Sequence, residues 1–240
     1  MSRTRARTRD IALPRTPRLA TRNGTPVEHA PENRAVVDGL DAFLARTCGW
    51  VLVLGGAIGT AAAFALVLDR IALLKDPAFV PSCSISPLLS CGSVMTSPQA
   101  EVFGFPNPLI GLVAFPVIAT VGVLALGGGT VPSWVWLGLQ AGSVAGIVFV
   151  HWLISQSLYV IGTLCPYCMI VWVVTITVFC YVTLHNLTAR RLPLPRAGRR
   201  IAAYHGVLLT SWVLLIVALV AARFWPYWTG LLGGGSIIAA

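Results

Sequence analysis

Six cysteines punctuate this chain, and four of them fall into two pairs whose spacing suits thiol–disulfide chemistry: Cys83 with Cys91, and Cys165 with Cys168. The second pair, Cys165-Pro166-Tyr167-Cys168, opens an apolar stretch. Pro166 suits the first position of a helix, which makes Cys165 the N-cap and sets Cys168 one turn on along the same face. Unpaired N–H groups and the helix dipole at such an end favour a thiolate. A redox-active dithiol follows; the alternatives are a pair of buried small residues or half of a zinc site.

Cys83 and Cys91 lie eight positions apart in a loop that also holds Pro81 and Pro87. They could close that loop as a structural disulfide. Against that, electrons entering from a soluble partner need an exposed, mobile dithiol, because exchange requires direct attack by a thiolate, and a loop pair can move to reach Cys165; this is the expectation. Cys48 and Cys180 have no companion cysteine in the sequence and read as small apolar residues.

The elements that must carry these pairs belong to a membrane. Of 240 residues, 56% are apolar and only 10% charged, with mean hydropathy +0.80, which is too hydrophobic for an ordinary soluble domain. A net charge of +9 would suggest nucleic acid in a soluble protein. Here the arginines gather into two tracts that flank apolar spans, so they read as topology signals at an anionic leaflet and no nucleic-acid partner is expected. Five apolar segments, residues 50–70, 108–126, 134–161, 166–187 and 206–224, are long enough to cross a hydrocarbon core of about 30 Å. The third carries His151, Ser155 and Gln156 in its second half, so that end is expected to face protein or the interface.

Arginine bias orients the set. Nine arginines precede the first span, and Arg190, Arg191, Arg196, Arg199 and Arg200 lie between the fourth and fifth. Both tracts belong in the cytoplasm. Alternation then puts the 71–107 loop and the 162–166 turn outside, on the oxidising face where disulfides persist, and the glycine-rich 127–133 connection inside. Residues 1–48, rich in Arg, Thr and Pro, read as a disordered basic cytoplasmic tail that fits a signal peptide poorly. Residues 49–188 hold the first four spans. Residues 189–240 read as a basic cytoplasmic loop, a fifth transmembrane helix and a short tail.

The order of these motifs carries a resemblance. A first span, a loop dithiol with seven intervening residues, Phe103-Gly104-Phe105-Pro106-Asn107-Pro108-Leu109-Ile110-Gly111 opening the second span, and Cys165-Pro166-Tyr167-Cys168 opening the fourth resemble the vitamin K epoxide reductase family in its bacterial disulfide-forming branch, over roughly residues 48–187. The resemblance implies an all-α integral membrane protein, a four-helix transmembrane bundle around a quinone site, plus a fifth helix. It implies a thiol:quinone oxidoreductase of the bacterial cytoplasmic membrane, with ubiquinone or menaquinone as electron acceptor and no metal. In that scheme Cys168 attacks the quinone, Cys165 is its exchange partner, Cys91 bridges to Cys165, and Cys83 faces an extracytoplasmic, DsbA-like thioredoxin-fold protein. Asn107 corresponds to a donor to a quinone carbonyl; before Pro108 it is also a good helix N-cap. Met95 and Ser97 fall where the family places pocket residues, and from sequence alone they are ordinary loop residues.

One position departs. Four residues after Cys168, where vertebrate members have a tyrosine, stands Trp172, which favours plain quinone reduction over vitamin K epoxide as substrate. Trp172 also reads as an interfacial anchor or packing residue. Some family members carry a thioredoxin-like domain after a fifth span. Here the expectation is a separate partner protein. Two other classes compete: the unrelated DsbB type, disfavoured because its order of cysteine motifs is the reverse, and a non-enzymatic membrane metal-binding protein using the four thiolates.

Overall fold

The computed structural model describes residues 31–189 and 204–232, with side chains described for residues 42–189 and 204–230. The chain divides into two units, Met1–Asp38 and Gly39–Ala240, and every cysteine belongs to the second. Among the described residues, regular structure is helical apart from one isolated β-bridge.

The first helix, α1, runs Pro31–Lys75 and corrects one expectation: residues 31–48, read as part of a disordered tail, are helical. Pro31 has the fixed φ suited to a first turn, Glu32 follows where the dipole favours an acid, and between there and the apolar run the only glycines are Gly39 and Gly49, with no second proline. The rest of the expected tail, residues 1–30, lies outside the described residues, as does most of the basic 190–203 loop. After α1 come the short α2 (Cys91–Met95), a 3₁₀ turn at Pro98–Glu101, α3 (Pro108–Leu126), α4 (Ser133–Gln156), α5 (Pro166–Thr188), α6 (His205–Arg223) and α7 (Trp225–Leu232). The last was expected as tail. Five segments are long and apolar enough to cross a membrane, namely Ala42–Lys75, Pro108–Leu126, Ser133–Ile161, Pro166–Thr188 and His205–Arg223, within a residue or two of the sequence reading except at the ends of the first.

Helices α1, α3, α4 and α5 share one core, in which Leu52, Phe115, Trp136, Val174, Val178 and Val182 meet. In lipid, apolar burial between helices brings little gain, so close backbone approach and interhelical hydrogen bonds must hold the bundle. Both are present. A Cβ at Gly56 of α1 would lie 2.7 Å from Ala119 Cβ and the Phe115 carbonyl of α3, and one at Gly122 of α3 would lie 2.8 Å from Leu52 Cβ. Between α4 and α5, Asn186 Nδ2 donates to the Trp136 carbonyl and to Gln140 Oε1, and Gln140 Nε2 donates to Thr183 Oγ1.

Helix α6 flanks this bundle. His151 on α4 uses Nδ1 on the Ile147 carbonyl and accepts the Trp212 indole N–H of α6 on Nε2, at 3.0 Å. His151 in the polar second half of the third span therefore faces protein, one of the two settings its composition allowed. That helix ends in a π-turn, Ser157–Ile161, closed by Gly162 at φ 72°, a left-handed conformation that glycine adopts without steric cost. The chain then reverses into Cys165.

Candidate redox site

Two helix N-termini meet at one end of the bundle. Cys91 is the first residue of α2, capped by Ser90, whose Oγ accepts the Ser93 N–H. Cys165 is the N-cap of α5, with Pro166 at N1 as expected. A parallel bridge joins the two: Ser90 N donates to the Leu164 carbonyl at 2.9 Å, and Leu164 N donates to the Leu88 carbonyl at 2.8 Å. These bonds bring Cys91 Sγ to 3.1 Å from Cys165 Sγ. The two pairs that sequence reasoning expected on one face do converge.

Cys83 and Cys91 form a disulfide, while Cys165 and Cys168 are free thiols. The Cys165 thiol is held below the ordinary cysteine range, first by the hydrogen bond its sulfur accepts from the Cys168 S–H and further by the backbone N–H groups of Cys168 and Tyr167. Burial and the charge of Asp69 oppose this. A sulfur biased toward thiolate thus lies beside a disulfide sulfur, the arrangement that exchange needs. One expectation is corrected. Far from being exposed, the loop pair is buried: Cys91 is 0% accessible and Cys83 6%, packed with Leu66, Met95 and Cys165. Apolar Leu88, Val94 and Met95 are the cause, since they hold the loop down on the bundle instead of leaving it in water.

Cys168, while donating its S–H to Cys165, also lines a cavity of about 530 Å³. Its lining is overwhelmingly apolar, running from Cys168 along α3 and α4 to Trp134, and it includes all four of the other predicted residues, Met95, Ser97, Asn107 and Trp172. Trp172 is 4% accessible and packs with Val150, Ile154 and Leu158; a buried ring is no interfacial anchor. Ser97 donates its hydroxyl proton to the Val94 carbonyl at 2.7 Å.

Asn107 departs from its expected second role. Its side chain makes no cap bond to α3. It instead ties the preceding loop together, Nδ2 donating to the Gln99 carbonyl at 2.7 Å and Oδ1 accepting the Val102 N–H at 3.2 Å. The backbone of Asn107 is already helical, so the amide folds back over the loop. One amide N–H is left over.

Sequence reasoning missed Arg70 and Asp69. Arg70 donates to the Met95 carbonyl at 2.9 Å and pairs with Glu101, clamping the residues that roof the cavity. The signal was available: an arginine at the end of an apolar span calls for a partner within the protein.

The sequence model of the vitamin K epoxide reductase family matches residues 50–183. The chain belongs to the vitamin K epoxide reductase family. No curated protein matched it. The matched segment takes in both cysteine pairs, Asn107 and Trp172, and the helical membrane fold is that of the family. Vitamin K epoxide reductase membership makes this a multi-pass membrane protein with thiol–disulfide oxidoreductase activity.

Proposed function

We propose that the protein is a disulfide-forming thiol:quinone oxidoreductase of the bacterial cytoplasmic membrane, with its N-terminus in the cytoplasm and its cysteines outside. The 3.1 Å approach of Cys91 to Cys165 is the observation that carries this reading. Both sulfurs are sealed from solvent, at 0% and 1% accessible, so they exchange within the protein and not with an external thiol. Cys83 is left for an external thiol and Cys168 for the cavity.

A reduced thioredoxin-fold protein of DsbA type attacks Cys83 and frees Cys91 as thiolate. Cys91 attacks Cys165 of an oxidised Cys165–Cys168 pair, and Cys168 leaves as thiolate at the cavity wall. Cys83, released by the partner's second thiol, then re-forms its bond with Cys91 and frees Cys165. A quinone bound in the cavity supplies an acceptor for two electrons and two protons. The cavity suits one: its volume lies within the range of small-molecule sites, its walls are apolar, and few polar groups converge there. Asn107 with its spare N–H, Ser97, Met95 and Trp172 would hold the ring. Direction follows potential, since about 30 mV changes the equilibrium about tenfold for a two-electron couple.

A four-thiolate metal site needs four free sulfurs, and two here are bonded to each other; that favours exchange. The test is anaerobic mixing of purified protein with reduced DsbA-like protein and quinone. Partner oxidation matched one to one by quinone reduction is expected. Partner oxidation that leaves the quinone untouched would refute the acceptor.

A further inference from the structure

Asp69, near the end of α1, holds a half-buried carboxylate beside the Cys83 sulfur. Its Oδ2 lies 3.7 Å from Cys83 Sγ, and its charge is felt at Cys165. The neighbouring Arg70 does not engage it, being committed to Glu101 and the Met95 carbonyl. Among the described residues no cation pairs with Asp69, so its negative charge serves no ion pair.

Exchange at this spot creates a difficulty of protons. When Cys83 re-forms its bond with Cys91, its thiol proton must leave, while the departing Cys165 is already held toward thiolate by the Cys168 S–H and backbone N–H groups. Cys83 is 6% accessible, so water has little access to its sulfur and a bare thiolate there is costly, whereas half-buried Asp69 can take the proton and pass it outward. We propose that Asp69 is a catalytic residue, the base that takes the thiol proton from Cys83. The step balances: the Cys83 thiol, the Cys91–Cys165 disulfide and the Asp69 carboxylate become the Cys83–Cys91 disulfide, the Cys165 thiolate and protonated Asp69. One S–S bond breaks and one forms, the electron pair leaves with Cys165 as thiolate, and the proton passes from Cys83 to the carboxylate. No further oxidant or reductant takes part. The charged and titratable groups around Asp69 are Cys83 of the loop at 3.7 Å, Cys165, which feels its charge, and the neighbouring Arg70, paired with Glu101.

The inference rests on the roles proposed above for the four cysteines, and the experiment separates the two. Fully reduced protein is mixed anaerobically with excess short-chain quinone and quenched in acid at intervals, and its disulfides are mapped. Formation of Cys165–Cys168 reports the proposed function. Later formation of Cys83–Cys91 reports Asp69. At neutral pH, Asp69→Asn should slow the later phase about tenfold or more, with the deficit closing as pH rises past about 8.5, where free thiols ionise unaided. Asp69→Glu should restore most of the rate. In the wild type the later phase should slow in D₂O, a readout that does not depend on any variant folding. A wild-type rate in Asp69→Asn, a deficit that high pH and glutamate both fail to repair, or a later phase indifferent to D₂O would each overturn the proposal. A wild type that forms neither disulfide overturns the cysteine roles and the proposal together.

Discussion

Cys91 Sγ lies 3.1 Å from Cys165 Sγ, across the gap between two helix N-termini that a two-bond bridge holds in register. The Leu88–Leu164 side of that bridge is buried with Ile154 and Trp172, so packing fixes the distance. The contact divides the labour among the four sulfurs, and each part of that division can be measured.

Cys168 opens on the cavity. Replacing it by Ser should abolish quinone reduction while exchange between the Cys83–Cys91 pair and a partner dithiol remains measurable. Stopped-flow absorbance of the quinone checks the first half, and thiol trapping checks the second. Retained quinone turnover would remove Cys168 from its role.

Asn107 joins the loop to the cavity. Asn107→Ala loses both bonds to residues 99–102, and Asn107→Asp loses the donor to Gln99 while setting a charge against that carbonyl. Each variant should lose about 1–3 kcal/mol, roughly ten- to a hundredfold in quinone use, and each should melt at a lower temperature. Parental turnover in Asn107→Asp would show that the amide serves the loop alone.

Orientation can be read by labelling. Cys48 is fully buried, so its silence toward an impermeant maleimide would say nothing about sidedness. Asp76→Cys, just past α1 at the cysteine end, should label on intact cells, whereas Thr130→Cys, exposed in the α3–α4 connection, should label only after lysis. The opposite pattern would invert the topology and the compartment with it.

The α1–α3 contact depends on glycine. Gly56→Ala would set a Cβ 2.7 Å from the Ala119 nitrogen and the Phe115 carbonyl, whereas at Gly138 of α4 nothing lies within 4 Å. The first change should cost about 1–3 kcal/mol and lower the melting temperature in detergent; the second should leave it near the parental value. Equal melting temperatures would mean that the helices separate there without strain.

What the sequence disclosed and what it hid follow from the range of the interactions involved. The spans were legible because hydrophobic length is local, and Cys165 was legible as an N-cap because Pro166 announces a first turn. Helix 31–48 was missed because charged and polar residues mask a helix that lacks a long apolar run. The burial of Cys83, the loop-tying role of Asn107 and the Arg70–Glu101 clamp depend on contacts between residues 8 to 31 positions apart, and no local pattern encodes them. Asp69 sat unremarked beside Arg70, since its meaning arises only when the loop returns to it.

The central claim is that electrons cross from the loop pair to the helix pair at Cys91 and Cys165. Its most direct measurement uses the double variant Cys83→Ser, Cys168→Ser, which leaves only those two of the four sulfurs. Purified, mildly oxidised and digested without reductant, it should yield a peptide linked through Cys91 and Cys165 as its dominant disulfide, formed within the monomer. Two free thiols, or a disulfide found only between molecules, would contradict the account.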